Sequence, residues 1–243
     1  MSDVYPRAPI IEAVIEFKTA PMPLDLAGKT RDKLRTRFAK VEDLLEIKIT
    51  SELGTNLAPQ VQRIPIGYRL MTDDATGVTS VQVHGLSISR LAPYLGWGPF
   101  SEDVAEQWRI WWKAAKRPNL TRLGMRFMNR IDIPESSGAS HLNSDYVTVS
   151  AALGIPFEGP RQFMGIHVLA RAKDEDIGAR VQVSDVDSPL IGHSAVSIDI
   201  DVFCEANVPQ SEDGIWAVLN RLRIVKNEIF ESAITDRARE LFR

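Results

Sequence analysis

The sequence predicts an α+β fold made of two similar halves, each an antiparallel sheet packed by a helix. Runs with a two-residue apolar period recur along the chain, which is the signature of strands with one buried face. Two amphipathic stretches open on Ser-Glu-Asp, at Ser101 and at Ser211. Finally, "GYRLMTDDATGVTSVQV" has a counterpart in "GIHVLARAKDEDIGARVQV", each a glycine-led strand, an acidic turn and a second strand containing Val-Gln-Val. Both copies precede one of the Ser-Glu-Asp helices, so an internal duplication is expected, at an offset of about 100 to 112 residues. The halves are residues 1–117 and 118–243, packed as one globular unit.

Within the first half, "IIEAVIEFK" alternates Ile11, Ala13, Ile15 and Phe17 against Glu12, Val14, Glu16 and Lys18, and reads as a strand stopped by Pro21 and Pro23. From Leu26 to Leu45 the apolar residues Leu34, Phe38, Val41 and Leu45 recur at steps of four, three and four, which predicts one helix. A short strand "EIKIT", a loop holding Pro59 and Pro65, and the strands "GYRLMT", "TSVQVH" and "LSISRL" follow as a meander. Ser101 then stands where an N-cap belongs, with Glu102 and Asp103 at the positive end of the helix dipole. Along that helix Val104, Trp108, Trp111, Trp112 and Ala115 share a face, a spacing that predicts core rather than a binding cage. Trp97, between two glycines, lies outside that period.

The second half begins with "TRLGMRFMNRIDIP", a long strand matched to the first one, whose Leu123, Met125, Phe127, Asn129, Ile131 and Ile133 oppose Arg122, Arg126 and Arg130. Residues 135–162 read as an extended connection with one short element near "DYVTVSAAL". The strands "FMGIHVLAR", "ARVQVSD" and "HSAVSIDIDVF" come next. The closing helix presents Ile215, Leu219, Leu222, Ile229 and Ala233 to the core.

Composition sets bounds on function. The chain has 243 residues, 44% of them hydrophobic, enough to fill a substantial core. With 29 basic and 32 acidic residues the net charge is −3, so no global field directs it to nucleic acid or lipid. One cysteine, Cys204, excludes an intramolecular disulfide and, with no basic-then-apolar leader at the start, fits a cytoplasmic protein. No apolar run reaches the length of a membrane span, so no membrane partner is expected. His84, His141, His167 and His193 are dispersed without metal-ligand spacing, and phosphate-binding glycine loops and nucleophile elbows are missing, so neither metal nor cofactor is expected.

The candidate binding residues are charged side chains on strands together with two loop aromatics. Glu12 and Glu16 share one strand face, Arg126 and Arg130 another, Asp199 and Asp201 a third. If those strands are neighbours, their faces make a ladder of ion pairs, or else a groove in which guanidiniums hold a phosphate or carboxylate. Tyr94 and Trp97 are residue types that anchor protein interfaces. The stretch from Lys29 to Lys40 holds six cations and one acid, Asp32, a composition that attracts nucleic acid locally but lacks interleaved aromatics for base stacking.

The segments "YPRAPIIEAVIEF", "ISRLAPYLGW", "RLGMRFMNRIDIP", "IDIDVF" and "KNEIFESAITDRARELF" together resemble a sporadically distributed prokaryotic family that carries no assigned activity. The resemblance spans nearly the whole chain and implies an accessory role of the defence or toxin-antitoxin kind, with no catalytic residues to transfer. The expected function is a protein-interaction module, acting on a protein partner or by self-association. An enzyme acting on nucleic acid or a phosphorylated ligand, or a nucleic-acid binder, are the alternatives.

Overall fold

The computed structural model describes residues 5–50, 60–134, 143–149, 165–171 and 176–243. In chain order its elements are β1 (Ile10–Thr19), α1 (Leu24–Leu34), β2 (Lys40–Thr50), β3 (Gln60–Met71), β4 (Gly77–Gln82), β5 (Gly85–Leu91), α2 (Trp97–Ala114), β6 (Leu120–Pro134), α3 (Asn143–Tyr146), β7 (Gly165–Arg171), β8 (Ile177–Asp187), β9 (His193–Cys204), α4 (Glu212–Ala233) and α5 (Asp236–Glu240). The fold is α+β, and β2–β3, β3–β4, β4–β5, β6–β9, β8–β9 and β7–β8 pair antiparallel.

Two compact units divide the chain. Glu16–Arg90 with Leu95–Thr121 form one; Met1–Ile15, Leu91–Tyr94 and Arg122–Arg243 form the other. In the first unit the strands are hydrogen-bonded in the order β2-β3-β4-β5-β1, and in the second β1-β6-β9-β8-β7, β1 contributing residues to both.

Cores form where the alternation predicts them. In the first unit Phe17 meets Trp108 and Trp111 at 6.2 Å between ring centroids, and both indoles are fully buried with Val104 beside them. Trp112 is half-buried and stacks on Trp108 at 5.3 Å. The tryptophan stripe is therefore interior packing, each ring removing a large apolar area from water. In the second unit Leu123, Met125, Phe127, Ile131 and Ile133 of β6 and Val196, Ile198, Ile200 and Val202 of β9 are buried, as are Ile215, Leu219 and Leu222 of α4. Ser211 caps α4, its hydroxyl accepting from the Gly214 N–H at 3.2 Å.

Three expectations need correction. The helix expected over Leu26–Leu45 stops at Leu34, passes through a 3-10 turn at Arg35–Arg37, and gives way to extended backbone at Phe38. Val41 and Leu45 are strand residues, because pairing of β2 with β3 along eleven residue pairs outweighs an apolar spacing that fits a helix by coincidence. Pro65 lies inside β3 rather than in a loop. It sits beside a bulge where the register shifts between Leu44 and Leu45, a place where a missing N–H is tolerated. Ser101 is not an N-cap: α2 begins four residues earlier, at Trp97, with Gly96 before it at φ 105°. Pro99 fits that first turn, where its absent N–H would have had no helical partner. The short element near "DYVTVSAAL" is helix at Asp145 and Tyr146 followed by a bridge from Val147 to Ile234; the last four residues of that stretch lie outside the described ones.

Candidate functional site: an apolar arm and a charged sheet face

Beyond the reach of β4, the β2–β3 pair runs on as a two-stranded arm. Pairing between β3 and β4 covers only Gly67–Met71, whereas β2 and β3 remain paired from Lys40↔Met71 out to Thr50↔Gln60. Directly opposed residues share a sheet face. One face of the arm thus carries Leu45 with Pro65, Ile47 with Arg63, and Ile49 with Val61. The other carries Glu46 with Ile64 and Lys48 with Gln62.

The apolar face is the continuation of the core side of the sheet. β2 keeps a strict alternation through the bulge, because the extra residue, Ile66, belongs to β3. Residues 45, 47 and 49 therefore lie on the side of Val41 and Asp43, whose partners are Leu70 and Tyr68. Leu70 is buried, and Tyr68 receives the Arg31 guanidinium of α1 at 4.2 Å. Past α1 the face stands open: Ile47, Ile49 and Val61 are 60%, 65% and 60% exposed. A two-stranded ribbon with one bare apolar face is marginal by itself, and a contiguous patch of this kind marks a docking surface.

The candidate charged residues occupy the outer faces of their strands and are answered by one another. Arg122 Nη2 donates to both carboxylate oxygens of Asp201 at 2.9 Å, and Arg122 Nε lies 3.3 Å from Glu205. Arg126 Nε donates to Asp199 at 2.8 and 3.1 Å. Arg130 pairs with Asp132 at 3.1 Å on its own strand, and Asp132 also accepts from Ser188 at 2.7 Å. Arg180 of β8 joins Asp201 at 3.4 Å. The hydrogen bond to Asp199, with added fields from Asp199, Asp201 and Glu12, raises the Arg126 guanidinium above its ordinary range against the opposing effect of burial. The Arg122 and Asp201 side chains are only 12% and 14% exposed, so the pair is stronger than a surface bridge. The ladder brings together Arg126, Asp199, Asp201 and the field of Glu12. Arg130 turns to its own strand, and Glu16 belongs to the first unit, where it lies 3.4 Å from Lys18. These carboxylates neutralise the guanidiniums a phosphate would need.

Tyr94 is half-buried, its ring meeting the edge of Phe127 at 5.6 Å, and burial raises its hydroxyl well above the usual phenol range. Trp97 begins α2 and packs edge-on against Phe100 at 6.5 Å. The cations from Lys29 to Lys40 do not line one helix. Lys29 pairs with Asp25, Arg31 with Asp32, Arg37 with Asp103, and Lys40, on β2, with Glu42.

Two polar features were not legible in the sequence. Asp103, in the second turn of α2, accepts from Arg37 Nη2 at 2.9 Å, Arg90 Nη2 at 3.3 Å and Gln107 Nε2 at 3.0 Å. Gln107 in turn accepts from the buried Thr79 hydroxyl at 2.5 Å. The cluster lines a cavity of about 50 Å³, room for a water or an ion but far below the several hundred Å³ of an organic-ligand pocket. The second feature is Lys226, 8% exposed on the buried stripe of α4, with its Nζ 4.0 Å from the centroid of Phe127. Burial, and secondarily the field of Arg223, pushes its pKa down to about 8. The Cys204 thiol is raised by burial and donates to the Ala206 carbonyl, so it is held protonated. Among the described residues no group of three or more His, Cys, Asp and Glu is arranged to hold a metal ion. No helix among them is long and apolar enough to cross a membrane.

No protein-family model matches the chain, and no curated protein does. Among solved structures, the crystal structure of DynU16, a protein in the dynemicin biosynthetic locus, is similar at 12% identity over 78% of this chain and 86% of its own. Its TM-score is 0.18, and the likeness carries no argument about fold or function.

Proposed function

We propose that this chain is a protein-interaction module whose recognition surface is the β2–β3 arm. The observation that carries the reading is the unpartnered apolar face of Leu45, Ile47, Ile49 and Val61, continuous with the core side of the sheet and left uncovered past α1. Burying that face against a partner recovers about 25 cal/mol for each Å² removed from water. The charged sheet face is better suited to stability, since its guanidiniums and carboxylates satisfy each other. The family resemblance points the same way, toward an accessory protein of the defence or toxin-antitoxin kind that works in the cytoplasm. The test is the double variant Ile47→Glu/Ile49→Glu, compared with wild type for retained partners and for self-association. Association should fall at least about a hundredfold while far-UV circular dichroism, and the unfolding midpoint at concentrations where wild type is dissociated, stay unchanged. Undiminished association would end this reading.

The internal duplication belongs to the same proposal. The support is topological: β3-β4-β5-β1 in residues 1–117 has the same order as β7-β8-β9-β6 in residues 118–243. Each set begins along the chain with the strand at the inner end of that order, β1 or β6, and closes on a helix, α2 or α4. On this reading, β2 has no matching strand among the described residues of the second copy.

A further inference from the structure

We propose that the arm's partner is a second copy of this chain, with β2 pairing antiparallel to β2 about a two-fold axis at Leu45. This rests on the arm being the recognition surface and names its occupant. β2 ends the strand order of its unit, and among the described residues no strand lies against its outer edge. That edge has unpaired backbone donors and acceptors in register to accept another strand. β2 itself holds no proline, glycine or bulge, since the bulge residue and Pro65 both belong to β3, and its edge is guarded by the charges of Lys40, Glu42, Asp43, Glu46 and Lys48 alone.

Charge together with the length of overlap selects the register. A two-fold axis perpendicular to the sheet keeps each residue on its own face, so β2 can be centred on one residue or shifted by whole residues, each centre giving a different set of opposed pairs. Centred on Leu44, Lys40 would face Lys48 and Glu42 would face Glu46, each twice. Centred on Glu46, that carboxylate would face its own copy. Centred on Leu45, Glu42 faces Lys48 of the second copy, and by symmetry the pair occurs twice, on the polar face. On the apolar face the same register sets Leu45 against Leu45 and Val41 against Ile49, at the cost of Asp43 facing Ile47. Centred on Ile47, Glu46 would face Lys48 twice with no like charges opposed, but only Leu44–Thr50 would overlap; the Leu45 centre pairs the whole of Lys40–Thr50, brings opposite charges together and sets like charges nowhere. Glu42 now pairs with Lys40 of its own strand at 2.6 Å, an exposed contact that exchange for Lys48 would replace.

The experiment is sedimentation velocity over a concentration series on wild type, Glu42→Lys, Lys48→Glu and the double exchange. Wild type should be dimeric. Each single exchange sets two like-charge pairs across the interface and should weaken the dimer about tenfold or more, and the double exchange should restore wild-type affinity. The double variant serves as its own folding control. A wild type monomeric at every concentration overturns self-pairing; if Ile47→Glu/Ile49→Glu still loses a heterologous partner, the arm stands as the recognition surface, and if it loses nothing, both readings fall. A dimer indifferent to the single exchanges, or a double exchange that fails to restore it, overturns the β2 register.

Discussion

Lys226 is a buried ammonium set over the aromatic face of Phe127, with Arg223 and Glu231 as the charges that act on it. Its pKa of about 8 in the folded chain lies below the 10.5 of an unburied lysine. Between those values the unfolded state binds the proton and the native state does not, so this residue makes stability rise with pH across roughly pH 8 to 10.5. Below pH 8 the lysine is charged in both states and the folded protein bears the desolvation cost, on the order of 3 kcal/mol. Lys226→Met should therefore raise stability at pH 7 by about 1 to 2 kcal/mol and remove this rise, read by urea unfolding at pH 7 and pH 9.5. An unchanged pH dependence in the variant would contradict the assignment. Asp103 works in the opposite sense: it answers Arg37 and Arg90, and Asp103→Asn leaves both cations short of an acceptor. The loss should be about 2 kcal/mol in the same assay. Neither residue was legible in the sequence. Asp103 reads as a dipole charge at a helix start, and Lys226 as one more cation on an amphipathic helix, because both roles depend on neighbours distant along the chain.

At the scale of elements, the two Ser-Glu-Asp motifs separate under one substitution. Ser211 caps α4, so Ser211→Ala should cost about 1 kcal/mol of stability, measured by thermal or chemical unfolding. Ser101 sits inside α2 and donates to the Gly98 carbonyl at 2.9 Å, so Ser101→Ala should be close to neutral. Equal losses would mean that α2 starts at Ser101 after all. Strand periods were legible wherever a strand has one covered face: β1, β6 and β9 bury the residues their alternation names. The misread segment, from Phe38 to Leu45, has apolar residues that fit a helical spacing, and only pairing with β3, some twenty residues on, decides for strand. Local spacing also fails to show what covers a face. "EIKIT" looks the same in sequence whether a helix packs on Ile47 and Ile49 or solvent does.

For the whole molecule, the ladder of Arg126, Asp199 and Asp201 was foreseeable from alternating charge and follows once β6 and β9 are neighbours. Its use was not, because reciprocal pairing of acid and base is a property of register. If the chain arose by duplication, β1, β3, β4, β5 and α2 superimpose on β6, β7, β8, β9 and α4 in that order; a mismatch in that order contradicts duplication. The measurement that tests the arm's role most directly is amide hydrogen exchange as a function of protein concentration. The β2 amides between Lys40 and Thr50 should become protected as the protein associates, with the β6 and β9 amides unchanged. Exchange in β2 that stays fast in the associated state, or new protection confined to other strands, would contradict the arm as the recognition surface.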